Sequence, residues 1–121
     1  MNPKIQSITF DGLPPSVNTI YRNVKGRGRV KSERYRKWIN SVNWQLNAQA
    51  PQKIDGEVEV SIYCKRPDKR RRDIDNCIKA VLDMLVSNHL IEDDSRVVKV
   101  SAEWCKNPDL DGTMVIFEAR V

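Results

Sequence analysis

The segment from Lys65 to Arg72 constrains the fold more than any other part of this chain. It carries six basic side chains in eight residues, together with Pro67 and one acidic residue. A segment of this charge stays in contact with water, and its proline interrupts regular structure, so we predict an exposed loop. The apolar segments on either side of it must then form the elements that the loop joins.

Both flanking segments have regular apolar patterns. Residues 57–64 alternate between apolar and polar positions, which predicts a half-buried strand, and residues 76–87 have the apolar spacing of a helix. The N-terminal part of the chain contains a similar pair of elements. Ile5 to Phe10 predicts a short strand, and Ser32 can cap a helix that ends before Pro51. One face of that helix would carry Tyr35, Trp38, Ile39, Val42 and Leu46.

The remaining segments complete the predicted fold. Residues 21–31 are rich in glycine and arginine and predict a flexible loop. Residues 96–104 and 113–121 predict two strands joined by a hairpin loop at 107–112. With the element order β-α-β-α-β-β, we predict an α+β fold in which a small mixed sheet carries two packed helices. A chain of 121 residues is expected to form a single domain, residues 1–121, and a small domain often gains stability by pairing with a copy of itself.

The cysteines and the apolar runs exclude several classes of protein. The three cysteines are widely spaced and there is one histidine, His89, so we expect neither a disulfide framework nor a zinc site. We predict three reduced thiols, at least two of them packed in apolar faces. Trp38, Trp44 and Trp104 would pack in the core or at an interface, and we expect the core for each. The apolar runs are too short to span a membrane. The first ten residues lack a signal-peptide core, so we expect a cytoplasmic protein with no membrane partner.

Positive charge is concentrated in two windows. Residues 22–37 carry eight basic side chains and residues 65–72 carry six, which together are 14 of the 21 in the chain. The rest of the chain holds 7 basic and 14 acidic residues. Two cationic patches on an acidic body favour a polyanionic partner such as DNA, although solvated basic loops would give the same pattern. The candidate DNA-binding residues are Arg27, Arg29, Lys31, Lys69, Arg70, Arg71 and Arg72.

Two aspartates stand where the basic loop meets the second predicted helix. Asp73 and Asp75 would point to the same side of an extended segment, and two converging carboxylates repel unless a cation lies between them. Mg²⁺ prefers a few carboxylate oxygens and keeps several waters, so the pair indicates a magnesium site. The structural alternative is that Asp75 or Asn76 caps the helix and Asp73 forms an Asx-turn.

A second acidic cluster, Glu92-Asp93-Asp94, follows the same helix. The turn after the helix would return the chain toward the sheet, so that a third carboxylate could reach the cation. We expect one of Asp93 and Asp94 to serve only the turn or the strand start. Lys79 lies four residues after Asp75, and it would either form an ion pair worth about 0.5 kcal/mol or less, or face a phosphate. A cation among these acids and the adjacent basic loop would together suit metal-assisted phosphodiester hydrolysis.

The stretch RPDKRRRDIDNCIKAVLDML, followed by EDDSRVV, resembles the RusA family of Holliday-junction resolvases, small phage- and prophage-associated endonucleases. The early segment LPPSVNTIYR is similar to the N-terminal signature of that family. The central motif is R-x-D-x-D-N-x-x-K, and all of its positions are present. The resemblance implies a homodimer that binds four-way DNA junctions and nicks two opposed strands symmetrically with Mg²⁺, with Mn²⁺ as an alternative ion. It also implies that the metal is bound by Asp73, Asp75 and Asp94, with Lys79 as a catalytic residue and Arg72 at the phosphate.

Two other functions remain open at this stage. A non-catalytic DNA-binding module would use its acidic residues only for caps and turns. A less selective Mg²⁺-dependent nuclease would cut flaps or replication forks. Tyr21 would stack on an unpaired base near a junction centre or, as we expect, pack beside its own loop.

Overall fold

The computed structural model describes residues 3–120, which form six strands, two α-helices and two 3₁₀ turns. The strands are β1 (Ile5–Phe10), β2 (Tyr21–Val24), β3 (Gly28–Lys31), β4 (Val58–Cys64), β5 (Val97–Trp104) and β6 (Thr113–Ala119). The helices are α1 (Glu33–Gln49) and α2 (Ile78–Ser87). The first 3₁₀ turn, Ile74–Cys77, leads into α2, and the second, Asp94–Arg96, leads into β5. Val121, which the sequence assigns to the last strand, lies outside the described residues.

The main sheet has four strands in the order β1-β6-β4-β5. β4 pairs with β5 in parallel and with β6 antiparallel, and β1 pairs with β6 antiparallel. The sheet is therefore mixed, and the predicted α+β class is confirmed. Because parallel neighbours require a crossover connection, the chain from Cys64 to Val97 passes through α2 before it returns to the sheet.

The connection between β5 and β6 corrects one prediction. These strands do not form a hairpin, because β4 lies between them and pairs with both. The segment 105–112 therefore crosses the end of β4, and its backbone bonds to that end: the Cys105 amide donates to the Cys64 carbonyl, and the Lys65 amide donates to the Gly112 carbonyl.

The segment 21–31 corrects a second prediction. It is a β-hairpin of β2 and β3, and not a flexible loop, so the order of elements is β-β-β-α-β-α-β-β. Gly26 and Gly28 have φ values of +81° and +73°, a region that side chains with a Cβ rarely adopt. The glycines that indicated flexibility thus form a tight turn.

α1 begins and ends as the sequence predicts. The Ser32 hydroxyl accepts a hydrogen bond from the Tyr35 amide and donates one to the Thr19 carbonyl, which joins the helix start to the preceding segment. Ala50 adopts a left-handed conformation, its amide bonds to the Leu46 carbonyl, and Pro51 follows.

Both helices pack on one face of the sheet. The core combines Val42 and Leu46 of α1, and Val81, Met84 and Leu85 of α2, with the inward residues of three strands. Those strand residues are Ile8, Phe10, Val58, Val60, Ile62, Cys64, Val115 and Phe117, and in β4 they follow the predicted alternation.

The cysteines and tryptophans test two further predictions. All three cysteines are free thiols, with Cys64 and Cys77 buried, as predicted. Trp38 and Trp104 pack against the core, but Trp44 is 79% exposed, so the prediction of a core position is wrong for Trp44. Among residues 3–120, neither helix has the length and apolar character that a membrane span requires.

Candidate functional site

All of the candidate acids lie on the connection between β4 and β5. Asp73 precedes the first 3₁₀ turn in an extended conformation (φ −92°, ψ 122°), and its side chain makes no capping hydrogen bond. Asp75 lies within that turn and is exposed. The capping position of α2 is Cys77, also without a side-chain bond, so capping by Asp75 or Asn76 is not what the structure shows. The carboxylates of Asp73 and Asp75 are therefore not engaged in capping this helix.

The two aspartates of the second acidic cluster, Asp93 and Asp94, make different contacts. The Asp93 carboxylate accepts hydrogen bonds from the Ser95 hydroxyl at 2.6 Å and from the Ser95 amide at 3.1 Å, and so caps the second 3₁₀ turn. These bonds, the hydroxyl first, hold the pKa of Asp93 below its usual value. Asp94 is exposed in the turn itself. The expectation that one member of the pair serves the turn is confirmed, and that member is Asp93.

Asp94 shares a cleft with Lys79. This lysine cleft has a volume of about 420 Å³ and lies between the β2–β3 hairpin, α1, α2 and the second acidic turn; Lys31 and Asp83 also line it. The Lys79 ammonium lies 3.1 Å from a carboxylate oxygen of Asp83. The Asp83 carboxylate raises the pKa of Lys79, with a smaller contribution from the charge of Asp94. The lysine is therefore held as a cation close to one of the predicted metal ligands.

Asp83 is a residue of this cleft that the sequence analysis missed. The sequence offers Asp75 as an ion-pair partner of Lys79, but in the structure Lys79 pairs with Asp83, which lies four residues after the lysine. The i,i+4 spacing within α2 is a signal that the sequence contains. Asp83 also faces Tyr35, where burial first, and then the Asp83 charge, raises the pKa of the phenol to about 12.

Asp73 lines a second cavity of about 410 Å³, on the other side of the start of α2. Arg71 and Arg72 line it too, together with two tryptophans, Trp38 and Trp104, and we call it the tryptophan cleft. The Arg72 guanidinium donates a hydrogen bond of 3.0 Å to the carboxylate of Asp68. Part of the charge that the sequence assigned to phosphate binding is therefore compensated within the loop.

The candidate acids do not form a complete metal-binding site on their own. Within residues 3–120, no three side chains of His, Cys, Asp or Glu lie together in positions to hold a metal ion. The prediction that Asp73, Asp75 and Asp94 converge on one cation is thus not met by the arrangement of the acids in the structure. The donor chemistry nevertheless suits Mg²⁺, which proteins commonly bind through one or two carboxylates, with waters and substrate phosphates as the other ligands.

Three of the predicted DNA-binding residues line these two clefts, Arg71 and Arg72 in one and Lys31 in the other. Lys69, Arg70 and Arg71 are exposed in the loop that follows β4, and Arg70 lies 3.8 Å from Asp68. On the hairpin, the Arg29 guanidinium lies 4.2 Å from the Tyr21 ring centroid, and the Lys31 ammonium lies 5.8 Å from that of Tyr35. Arg27 is exposed at the turn. Tyr21 packs edge-to-face on Tyr35, as expected for a residue that packs beside its own segment.

Comparison with known proteins places these features in a family. The family model described as endodeoxyribonuclease RusA matches residues 11–116. A protein named crossover junction endodeoxyribonuclease RusA from Escherichia coli (strain K12) is 38% identical over 85 residues, which are 70% of this chain and 71% of the relative. A relative of the same name from Shigella sonnei is 36% identical over the same shares. The relative from Enterobacteria phage HK97 is 33% identical over 69% of each chain.

Proposed function

The chain belongs to the endodeoxyribonuclease RusA family, and from that premise we propose that it resolves four-way DNA junctions by nicking two opposed strands. The relatives are named for crossover junctions, and the family match covers the loop, both acidic turns and the hairpin. The enzyme class is that of a hydrolase that cuts DNA. A cytoplasmic location stays a prediction.

The observation that best supports this proposal is the distribution of charge along the β4–β5 connection. Asp73 and Asp94 line clefts that also hold cations: Arg71 and Arg72 beside Asp73, and Lys31 and Lys79 beside Asp94. In a simple DNA-binding module, exposed carboxylates beside the phosphate contacts would only repel DNA. In a site that binds a metal cation together with DNA, the same carboxylates serve as ligands of the cation.

Each part of this surface has a separate task. Lys69, Arg70 and Arg71 hold the phosphates that flank the cut, and Arg27, Arg29 and Lys31 hold the strand that passes the hairpin. Lys79, whose ammonium is paired with Asp83, stabilises negative charge that develops on the phosphate. Asp73, Asp75 and Asp94 are the acids available to Mg²⁺, or to Mn²⁺ in its place; since they do not lie together, one or two of them would hold the ion, with waters and substrate phosphates as its other ligands. When bound, such an ion polarises a phosphoryl oxygen and lowers the pKa of a coordinated water.

We further propose that the working unit is a homodimer. Two opposed cuts in a four-way junction are related by two-fold symmetry, and a symmetric dimer presents two identical sites at a fixed separation.

One observation favours a second function, that of a DNA-binding module without catalysis. It is the lack, in the part of the chain that the structure describes, of three acids placed to hold a metal ion together. The two functions differ in what happens when a single acid is neutralised.

Asp75→Asn separates the two functions. The test uses a synthetic four-way junction, with and without Mg²⁺, and reads the strand-specific nicks on a denaturing gel. For a nuclease, cutting by wild type requires the ion, and Asp75→Asn abolishes cutting while junction binding is kept or becomes tighter, since a repelling charge is removed. Asp55→Asn, on the exposed segment before β4, is the matched control and should cut like wild type. A wild-type protein that binds the junction but never nicks it under any divalent ion leaves only the binding module.

A further inference from the structure

The tryptophan cleft has a lining that phosphate binding does not explain. Its apolar wall consists of Leu13, Pro14, Pro15, Trp38 and Trp104. Its volume of about 410 Å³ lies within the range of roughly 300–1,000 Å³ that is usual for small-molecule sites. Arg34, Arg71 and Arg72 also line this cleft, so a phosphate can bind at its edge while the apolar wall remains open to another group.

Two nitrogen donors in the residues that line this cleft have no partner. Within residues 3–120, Trp38 Nε1 and Arg72 Nε are shielded from solvent and make no hydrogen bond, although buried N–H groups are nearly always paired. Because both atoms are shielded, a group bound in the cleft could pair with either of them only after the side chain moved. The Arg72 side chain is 35% exposed, but its guanidinium is bonded to Asp68, so pairing with a ligand in the cleft would require that bond to rearrange.

We propose that the tryptophan cleft receives a nucleobase displaced from its stack beside the phosphodiester that is cut. This inference rests on the proposed function, and it assigns to that function a site of base recognition. A base has flat apolar faces and a polar edge, which matches a cavity of indoles and prolines with nitrogen donors among its lining residues. Bases at the exchange point of a junction are the ones that can most readily leave the stack.

The cleft lies beside the candidate metal and phosphate ligands, which supports a nucleobase of the bound DNA as its occupant. Asp73, a candidate metal ligand, and Arg71, a candidate phosphate contact, belong to the same lining. A nucleotide whose base enters here therefore has its phosphate near the acids. The cleft also lies against α1 and the end of β5, both parts of the packed core, so its walls are held in place before DNA arrives.

The test combines Trp38→Phe with a matched control, Trp44→Phe, in which the same change is made at an exposed position of the same helix. Pyrrolocytosine, a fluorescent cytosine analogue that brightens when it leaves the stack, is placed in turn at each position near the exchange point. Binding is measured without divalent ions, so that no cutting is needed. At one position we expect wild type and Trp44→Phe to raise the fluorescence at least two-fold, and Trp38→Phe to give less than half of that rise.

A second measurement uses cutting. With Mg²⁺, an intact junction is compared with one that lacks the base at the responding position, and wild type should cut the abasic junction at least five-fold more slowly. Trp38→Phe should reduce this ratio toward one. Since Trp38 also packs against Phe10 and Tyr35, Trp104→Phe, at the end of β5, serves as a second variant, and thermal unfolding verifies that each variant is folded.

Three outcomes overturn the inference. No labelled position responds to wild type, or the tryptophan variants respond like Trp44→Phe, or the variants change only the oligomeric state, which would make the cleft a contact between subunits. A fluorescence response in a protein that never cuts would keep the base site and reject the nuclease, so the two proposals fail separately.

Discussion

At the scale of single residues, neighbouring aspartates of the same charge have different environments. Both line the cleft that holds Lys79, but the Asp93 carboxylate is engaged by two hydrogen bonds from Ser95. The sequence EDDS contains both residues but does not distinguish them, because the choice depends on the dihedral angles of a short 3₁₀ turn.

We predict that Asp94→Ala lowers junction cutting at least a hundredfold and leaves the thermal unfolding temperature near that of wild type. Asp93→Ala is the matched control, and it should keep most of the cutting but unfold at a lower temperature, because it loses the cap of the second 3₁₀ turn. Single-turnover cutting and thermal unfolding, measured on the same preparations, provide the comparison. Equal loss of cutting in both variants would contradict the division of roles.

The stability cost of Asp93→Ala depends on pH. Because the Ser95 bonds lower the pKa of Asp93 in the folded protein, its carboxylate stabilises the fold above the unfolded pKa of about 3.9. That contribution is lost as the pH falls through the lowered folded pKa. The difference in unfolding temperature between wild type and the variant should thus be full at pH 6 and shrink below pH 4. A difference that grows on acidification would refute the Ser95 linkage.

On α1, burial of a side chain can be predicted from its spacing along the helix or from its residue type. Tyr35, Val42 and Leu46 are buried as their spacing predicts. Trp44 is not, although its size favours burial, because its place on α1 turns it away from the sheet that the helix covers. Periodicity therefore predicted this helix face better than residue type did.

At the scale of elements, the basic loop and the β2–β3 hairpin approach the clefts from different parts of the chain. The loop follows the end of β4 at Cys64, and the hairpin is tied to the start of α1 by the Ser32 bond to Thr19. The sequence pattern predicted the basic loop correctly, but it predicted a flexible loop where the structure has the hairpin. In a short strand that buries little, alternation is weak, and the glycines of a turn resemble those of a flexible linker.

Replacing Lys69, Arg70 and Arg71 together by glutamine should weaken binding to every DNA shape and flatten its salt dependence. The slope of log K against log salt should fall by about 0.9 for each phosphate that the loop no longer neutralises. The charge-matched control replaces Lys4, Lys53 and Arg120, which lie near the starts of β1 and β4 and the end of β6, the opposite end of the sheet. An unchanged slope in the loop variant, measured by fluorescence anisotropy, would rule out phosphate binding by this loop.

Ser32→Ala should lower the free energy of unfolding by about 1 kcal/mol, within a usual range of roughly 0.5–2 kcal/mol for removal of an N-cap. The change removes the bond from the Tyr35 amide and also the bond to Thr19. Ser41→Ala, on the same helix, is the control, since that hydroxyl accepts only a surface bond from Gln45. Urea unfolding gives both values, and equal values for the two variants would be inconsistent with a cap.

At the scale of the whole molecule, the topology could be predicted only in part. The alternation of β4 and the spacing of both helices predicted the class, but β6 lies between β1 and β4, and β5 lies at the edge. Local patterns specify which segments are strands, whereas strand order depends on how non-local segments pair. The predicted β5–β6 hairpin was wrong for this reason.

The proposed symmetry makes a prediction about mixed assemblies. Wild type and Asp75→Asn, carrying different affinity tags, are mixed, and the mixed dimers are isolated through both tags. Mixed dimers should nick one strand of a junction and leave the opposed strand intact, because each subunit serves one strand. Sedimentation should give twice the monomer mass for all three species. Paired cuts by the mixed species, or a monomeric mass, would disprove the arrangement.

The crossover between β4 and β5 carries Asp73, Asp75, Lys79, Asp94 and the whole basic loop, whereas β1 and β6 complete the sheet without contributing any of them. The reactive groups are thus encoded in one contiguous stretch of the gene, which also supplies α2 to the core. A recombination event that exchanges this crossover between relatives would transfer the reactive groups together with the helix that packs them on the sheet, so the recipient's strands must accept that helix.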